Sequence, residues 1–147
     1  MNAAIRDRAL TLLSYRAHSR RELFDKLRRK GVPEGTDLDE VLDWLEEQGF
    51  LNDGSYAASV VRHAASKGWG SGRITAEFSK RGIPRELWDA AMEEMPETDD
   101  TLDRLLRAKL RNPDDRDEVR KVSASLVRRG YSWDEVRRAL ERLEEIN

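Results

Sequence analysis

Cysteine is absent from this chain of 147 residues, and other residues that mark specialised chemistry are scarce. Without cysteine there can be no disulfide, no thiolate ligand for zinc and no cysteine nucleophile, and such a chain suits a reducing compartment. The two histidines, His18 and His63, are too far apart for a metal-ligand motif. No P-loop, Gly-x-Ser-x-Gly motif or dinucleotide-binding glycine pattern occurs. The sequence therefore predicts no cofactor, no metal site and no enzymatic activity.

Long apolar runs are also missing. Apolar residues and charged residues each make up 38% of the chain, and the mean hydropathy is −0.79. Nothing approaches the ~20 apolar residues that span a membrane, and the first residues carry charges too frequently for a signal peptide. We expect a cytoplasmic protein without membrane association. Such a polar composition favours an elongated arrangement of helices, in which most residues lie near the surface.

Charge of one sign is absent from two stretches, although the net charge of the whole chain is only −2. Residues 36–55 contain seven Asp or Glu and no Lys or Arg, and the same holds for residues 87–103. The flanking segments are basic: residues 1–35, 56–86 and 104–130 have net charges of +5, +4 and +5. This alternation predicts strong local fields that the net charge conceals.

A repeat of about fifty residues accompanies the charge pattern. Two basic residues and a glycine recur three times, as Arg29-Lys30-Gly31, Lys80-Arg81-Gly82 and Arg128-Arg129-Gly130, with the glycines 51 and 48 positions apart. Glycine suits the position after a helix because it adopts a left-handed backbone conformation without steric cost. Each motif therefore predicts the end of a helix, followed by a residue (Val32, Ile83 or Tyr131) that folds back onto it.

Apolar residues recur at helical spacing when the three copies are aligned on these glycines. In the helices that end at the glycines, the recurring pairs are Leu23 and Leu27, Ile74 and Phe78, and Val122 and Leu126. In the following helices, the stripes are Leu38, Val41, Leu42 and Leu45; Trp88, Ala91, Met92 and Met95; and Val136, Ala139, Leu140 and Leu143. In the preceding helices, they are Ile5, Ala9, Leu12 and Leu13; Tyr56, Val60 and Ala64; and Leu102, Leu105, Leu106 and Leu110.

These patterns predict an all-α protein of three tandem three-helix repeats, with about nine short helices in an elongated, curved arrangement. The predicted repeats are residues 1–51, 52–97 and 98–147. Helix starts are expected from capping boxes at Ser19 with Glu22 and at Ser132 with Glu135, and from Pro84 at a first helical position. Further N-caps are predicted at Thr36, Asp53 and Asp99.

Several segments, in order and at matching spacing, carry a family resemblance. They are Ser19-Arg20-Arg21-Glu22-Leu23, the run from Gly49 through Leu51-Asn52-Asp53 to Tyr56-Ala57, and Phe78-Ser79-Lys80-Arg81-Gly82-Ile83. Over about residues 3–95 the chain resembles the RecX family of bacterial regulatory proteins, and the third repeat agrees more loosely. The resemblance implies a modulator that lies along the groove of the RecA–DNA filament. It also implies inhibition of ATP hydrolysis, strand exchange and co-protease activity, and hence a role in DNA repair, recombination and the SOS response.

Basic side chains are the candidates for contact with the RecA filament, and with single- or double-stranded DNA bound without sequence preference. Arg21 and Arg28 are seven residues apart on the side of their helix opposite Leu23 and Leu27, and Lys121 and Arg128 repeat this relation. The full candidate set is Arg21, Arg28, Arg29, Lys67, Trp69, Arg73, Lys80, Arg81, Lys121 and Arg128. The alternative is that these are ordinary exposed charges, some of which favour a helix C-terminus.

The four tryptophans have different predicted roles. Trp69 lies in the loop Lys67-Gly68-Trp69-Gly70-Ser71-Gly72-Arg73. It either stacks on a base or enters a pocket of RecA, or it covers a crevice between helices. Trp88 is predicted in the core, and Trp44 and Trp133 in packing between repeats.

Two other functions remain open from the residues themselves. The second and third helices of each repeat resemble a helix-turn-helix, which would make the protein a DNA-binding transcription factor. Its reading helix would need basic side chains, and only the last helix, with Arg137 and Arg138, has them. The other alternative is a helical-repeat scaffold for a different protein. We expect a monomer.

Overall fold

The computed structural model describes residues 1–146, with side chains for residues 1–145. Asn147, which the predicted third repeat includes, lies outside the described residues. Over the described residues the secondary structure is helical, without strands, which confirms the all-α prediction. The nine α-helices of this part are α1 (Ala3–Tyr15), α2 (Arg20–Arg29), α3 (Thr36–Glu47), α4 (Asp53–Ser66), α5 (Ser71–Lys80), α6 (Trp88–Met92), α7 (Thr98–Lys109), α8 (Arg116–Arg128) and α9 (Trp133–Ile146). One turn of 3₁₀ helix, Arg85–Leu87, precedes α6.

The second helix of each repeat ends in the same glycine turn. Gly31, Gly82 and Gly130 have φ angles of 93°, 68° and 106°. The amide of the next residue donates to the carbonyl oxygen five residues back, from Val32 to Leu27 and from Ile83 to Phe78, both at 3.0 Å, and likewise from Tyr131 to Leu126 at 3.2 Å. This is the Schellman motif, in which glycine reverses the chain and buries the following side chain. The predicted helix ends are confirmed.

The chain divides into two compact units. One unit comprises Met1–Ser59 with Phe78–Ala91, and the other comprises Val60–Glu77 with the chain from Met92 onward. The core of the first unit includes the buried residues Ile5, Ala9, Leu23, Leu27, Val32, Leu38, Val41, Leu42, Leu45 and Leu51. The core of the second includes Leu102, Leu106, Leu126, Tyr131, Val136 and Ala139. The predicted stripes thus supply both cores, whereas the repeat limits near residues 51 and 97 stay a prediction.

Helix starts follow the sequence only in part. Both capping boxes are confirmed: the Ser19 Oγ accepts from the Glu22 amide at 3.0 Å, and the Ser132 Oγ accepts from the Glu135 amide at 3.1 Å. The N-caps predicted at Thr36 and Asp99 were wrong. The residues before α3 and α7 are Gly35 and Glu97, and neither caps its helix with a side chain. Both helices therefore begin without the side-chain acceptor that the pattern predicted.

The last helix of the second repeat is shorter than the apolar stripe predicted. Pro84 precedes the 3₁₀ turn, and α6 ends at Met92, so Met95 lies beyond the helix. Pro96 explains the early end, because a proline disfavours the helical conformation of the residue before it. Trp88 is half-buried against Phe78, with ring centroids 5.6 Å apart, and its indole N–H donates to the Ile83 carbonyl at 3.0 Å.

The packing predicted for the other two tryptophans also differs from the structure. Trp133 is 58% exposed, so the prediction that it packs between repeats was wrong. Trp44 packs against the core of the first unit and against Phe50, with ring centroids 5.9 Å apart. Both lie in amphipathic helices, where sequence spacing gives the helix face but not the neighbour that covers it.

Candidate interaction surface

In the first unit, the start of α2 lies against the end of α5. The Ser19 Oγ, which caps α2, also donates to the Arg81 carbonyl oxygen at 2.5 Å. Gly82 packs so closely on α2 that a Cβ on it would lie 2.6 Å from the Cβ of Arg21. Only a residue without a side chain fits there, and this contact, which we call the first junction, holds two repeats together.

Basic side chains gather at the first junction. Arg21 is exposed, forms an ion pair with Asp25 at 3.3 Å and lies over the ring of Phe24 at 5.2 Å. Lys80 is also exposed, whereas Arg81 is half-buried and donates to the Tyr56 hydroxyl at 2.9 Å. The junction therefore presents Arg21 and Lys80 to solvent, while Arg81 serves the packing.

Tyr56 is buried under the first junction, and its surroundings show how the charges are balanced there. Burial raises the pKa of the Tyr56 phenol, and the Glu22 carboxylate raises it further. Arg16 also donates to the Tyr56 hydroxyl at 3.3 Å and to the Glu22 carboxylate at 3.2 Å. The Tyr56 hydroxyl thus accepts hydrogen bonds from both Arg81 and Arg16, and Glu22 pairs with Arg16, so these contacts hold the two guanidinium groups in place.

In the second unit, the start of α5 meets the end of α8 in the equivalent way. The Gly70 amide donates to the Arg129 carbonyl at 2.7 Å, and the Gly72 amide donates to the Gly130 carbonyl at 3.0 Å. A Cβ on Gly70 would lie 2.5 Å from the carbonyl carbon of Gly130, and one on Gly130 would lie 2.5 Å from the Arg73 amide nitrogen. Backbone thus packs directly on backbone at this second junction.

Trp69 lies at the second junction, in contact with two cations. It is half-buried, and the guanidinium of Arg73 stacks 3.6 Å from the centroid of its ring, with the Lys67 ammonium at 5.6 Å. Such stacking attracts the cations to the ring electrostatically. Lys67, Trp69 and Arg73 therefore form one aromatic and basic surface, which the loop sequence had suggested.

A cleft of about 580 Å³ adjoins the second junction. Arg73 and Arg128 both line it, together with Tyr131 and the Ser132–Glu135 capping box. Arg129, which was not among the candidate contact residues, donates to the Lys67 carbonyl at 3.0 Å, and the Tyr131 hydroxyl donates to the Gly68 carbonyl at 3.0 Å. These bonds fix the loop that carries Trp69 onto the end of α8.

The remaining candidates lie away from both junctions. Arg28 and Arg29 are exposed at the end of α2, where Arg28 donates to the Val32 carbonyl at 3.2 Å. Lys121 is exposed on α8, seven residues and roughly 10 Å along the axis from Arg128. Arg28, Arg29 and Lys121 are therefore exposed cations on the helices, and in the described part of the chain they do not line a common pocket with the junction residues.

Sequence reasoning missed a polar contact that orders the start of α2. Arg20 donates to Asp43 at 2.8 Å and to Glu46 at 2.7 Å, so a cation of α2 is neutralised by α3. The Asp53 carboxylate, predicted to cap its own helix, instead accepts from the Arg20 amide at 2.9 Å, and burial raises its pKa. The contact of Arg20 with Asp43 and Glu46 could have been suspected from the basic start of α2 and the acidic α3. The sequence does not reveal which residues of the two helices lie opposite each other.

Among the described residues, no group of three or more His, Cys, Asp or Glu side chains is arranged to hold a metal ion. No helix in this part of the chain combines the length and apolarity needed to cross a membrane. The fold and the two junctions place this protein in the class of helical-repeat proteins with basic side chains at the contacts between repeats.

Comparison with known proteins identifies the family. Models of the first, second and third three-helix domains of RecX match residues 6–45, 52–92 and 97–140. The chain belongs to the RecX family of regulatory proteins, which is not an enzyme family, and its fold is three tandem three-helix domains.

Similar proteins match over most of the chain. A regulatory protein RecX from Halorhodospira halophila is 37% identical over 144 residues, covering 92% of this chain and 86% of that protein. Another from Ectopseudomonas mendocina is 35% identical over 147 residues, covering 97% and 96%. The crystal structure of RecX from Lactobacillus salivarius superposes with a TM-score of 0.82 at 25% identity, covering 97% and 96%.

Proposed function

We propose that the protein binds the RecA–DNA filament and inhibits RecA ATP hydrolysis, strand exchange and co-protease activity. The observation that carries this proposal is the presence of all three RecX domains, in order, over residues 6–140. Regulation of RecA is the role of that family. A filament regulator of this kind acts in DNA repair, recombination and the SOS response, in the bacterial cytoplasm.

The two basic junctions supply the means of binding. Each unit presents exposed cations beside a junction: Arg21 and Lys80 in one, and Lys67 and Arg73 in the other. Exposed Lys and Arg attract DNA phosphates and acidic protein surfaces, and they speed association at low salt. Trp69, held flat against Arg73, adds a surface suited to a base or to an apolar protein contact.

A helix-turn-helix transcription factor is less consistent with the geometry. The exposed side of α3 carries the carboxylates of Asp37, Asp39 and Glu40, which would face DNA phosphates with the same sign of charge. Helix α6 has only five residues. Of the third helices of the repeats, α3, α6 and α9, only α9 presents exposed cations within the described residues, at Arg137 and Arg138.

The test is the single-stranded-DNA-dependent ATPase of RecA from the same organism, measured with increasing amounts of the protein at low and moderate salt. We expect inhibition at well below one molecule per RecA monomer. Such stoichiometry would support action on the filament rather than on free RecA. An unchanged ATPase at equal stoichiometry would overturn the proposal and leave the scaffold and DNA-binding functions.

A further inference from the structure

The two junctions share one chemical plan. In both, the carbonyl oxygen before a left-handed glycine accepts a hydrogen bond from the start of a helix in the preceding repeat. The donor is the Ser19 hydroxyl for Arg81 and the Gly70 amide for Arg129. In both, the missing side chain of the glycine lets the helix start approach within contact distance.

The first repeat contains the same turn without a helix start against it. Gly31 has the same left-handed conformation as Gly82 and Gly130, but within the described chain no atom lies within 4 Å of the place its Cβ would take. The Lys30 carbonyl, equivalent to those of Arg81 and Arg129, accepts a long bond of 3.5 Å from the exposed Arg8. A side chain of the same repeat thus stands where the junctions have a neighbouring helix.

An open cleft lies beside Gly31. It has a volume of about 560 Å³ and is lined by the start of α1, by the loop from Gly31 to Gly35 and by the first residues of α3. Its lining includes the apolar Ile5 and Val32 as well as Arg8, with the carboxylates of Glu34 and Asp37 on the loop and helix side. The turn at its edge is already held by the Schellman bonds, so the acceptor is preformed and docking requires no reordering of the backbone.

We infer that the Lys30–Gly31 turn is an unoccupied copy of the junction and receives the first turn of a helix from the partner protein. The occupied junctions define that helix: its cap is serine or glycine, which donates to the Lys30 carbonyl. Exposed cations lie next to the Lys30 carbonyl: Arg8 donates to it, Arg28 donates to the Val32 carbonyl, and Arg29 precedes it in the chain, so acidic side chains are favoured in the first turn of the partner helix. This inference rests on the proposed function, under which the helix belongs to RecA in the filament.

The equivalent helix of the third repeat, α8, fits the turn poorly as a docking helix from a second copy of this chain. The helix starts that dock, at Ser19 and Gly70, lie 12 residues before their own glycines, whereas α8 is capped by Asp115, 15 residues before Gly130. The Asp115 carboxylate accepts from the amides of Asp117 and Glu118 and has no proton to donate to a carbonyl. The extra turn and the acidic cap make α8 unsuitable as the docking helix.

A glycine substitution tests the inference with a closely matched control. Asparagine tolerates the left-handed conformation, so Gly31→Asn should fold while placing a side chain in the docking position. Gly49→Asn is the control, since Gly49 also has a positive φ (82°), ends a helix and has no atom within 4 Å of a Cβ. Binding to RecA filaments on single-stranded DNA is measured by co-sedimentation, after circular dichroism has shown equal folding.

We expect Gly31→Asn to weaken filament binding by about 10-fold or more, and Gly49→Asn to change it by less than about 2-fold. Equal binding by both variants, with wild-type protein binding normally, would overturn the inference alone. Absence of binding by the wild-type protein would overturn the proposed function and the partner with it. A wild-type dimer in sedimentation that Gly31→Asn abolishes would also overturn the inference, because the occupant of the turn would then be a second copy of this chain.

A crosslink identifies the occupant directly. The chain has no native cysteine, so Glu34→Cys, on the lining of the cleft, can be labelled with a single benzophenone group. Irradiation with RecA filaments should capture a RecA peptide that contains the start of a helix with a serine or glycine cap. A dominant crosslink to a helix interior, a strand or DNA would contradict the inference.

Discussion

Glycine at the end of a helix has two separate roles in this protein. At Gly49 the left-handed conformation is the whole requirement, because the space around the residue is open. At Gly130 the residue must also leave room for the backbone of the preceding repeat, which lies 2.5 Å from where a Cβ would be. The same residue type in the same type of turn therefore has different energetic weight.

Alanine at these two positions separates the roles. For Gly49→Ala we expect a loss of about 1–2 kcal/mol of stability, the cost of a left-handed residue with a side chain. For Gly130→Ala we expect a further 1–3 kcal/mol or so, because the methyl group must push the Arg73 backbone away. Urea denaturation followed by circular dichroism measures both. Equal losses would mean that the junction yields without cost.

The glycine turns also show how far sequence prediction reaches at the scale of single residues. The position of Gly130 after two basic residues was enough to predict a helix end. Its close contact with Gly70 was not predictable, because it depends on a residue 60 positions away that the repeat pattern does not pair with it. The loop around Trp69 was singled out for its tryptophan and flanking cations, whereas its glycines Gly70 and Gly72 make the backbone contact.

His18 is the one buried histidine in the described chain, with 2% of its surface exposed. Its Nδ1 lies 3.0 Å from the Arg16 carbonyl, and its Nε2 lies 3.0 Å from the Lys26 ammonium. A neutral ring satisfies both contacts by donating at Nδ1 and accepting at Nε2. Burial lowers the pKa of His18, and the positive charges of Arg16 and Lys26 lower it further, although Glu22 opposes them.

This environment predicts lower stability in acid. Because the pKa of His18 is lower in the folded protein than its ordinary value of 6.5, the unfolded chain binds the proton more readily. The contribution is fully present above pH 6.5 and declines as the pH falls below it, towards the folded pKa. Thermal unfolding from pH 7.5 to 5 should show a falling midpoint for the wild type. His18→Gln should show a smaller fall, and identical slopes would contradict the assignment.

At the scale of helices, α7 and α9 are joined by half-buried ion pairing as well as by apolar packing. Arg142 of α9 donates to both carboxylate oxygens of Asp103, with distances of 2.8 to 3.2 Å, and lies 3.6 Å from Asp99. The side chains of Arg142 and Asp103 are only 29% and 24% exposed, so solvent screens this pair less than a surface pair. The two-pronged geometry favours a measurable contribution.

Removal of that pair should loosen α9. We expect Arg142→Ala to lower stability by about 1 kcal/mol, above the usual value for exposed pairs. Arg138→Ala, on the exposed side of the same helix, should change it by less than about 0.5 kcal/mol. A double-mutant cycle with Asp103→Ala isolates the interaction, and a coupling energy near zero would assign the loss to packing of the arginine stem.

The helices themselves were largely predictable, and their pairing was not. Spacing of apolar residues gave the buried faces of α2 and α3, including Leu23, Leu27 and Leu42. It did not give the register that brings Arg20 between Asp43 and Glu46, since many registers bury the same leucines. The start of α6 was also misplaced: Pro84 was predicted at the first helical position, but a 3₁₀ turn follows it and α6 begins at Trp88.

At the scale of the whole molecule, the segregated charge matters more than the net charge of −2. The candidate basic side chains were predicted by type and repetition, but their roles divide in the structure. Arg81 is held by Tyr56 and serves packing, while Arg21 and Arg28 keep exposed guanidinium groups on α2. A test of the binding surface should therefore use the exposed pair.

Charge reversal at Arg21 and Arg28 should weaken RecA inhibition by about 10-fold at low salt, and by less as salt screens the wild-type attraction. Glutamate retains the Cβ and Cγ on which Gly82 packs, so the first junction should survive Arg21→Glu. Arg137→Glu with Arg138→Glu is the matched control, being an exposed basic pair outside the candidate set.

The two double variants also separate the competing functions, provided that circular dichroism shows both to be folded. If the protein restrains the RecA filament through α2, the Arg21 and Arg28 variant loses inhibition and the Arg137 and Arg138 variant keeps it. If α9 reads DNA as a helix-turn-helix would, the pattern reverses, and binding to duplex DNA falls with the second variant alone. Full inhibition by the first variant at low salt would remove α2 from the binding surface, because no exposed cation can mediate an electrostatic contact after its charge is reversed.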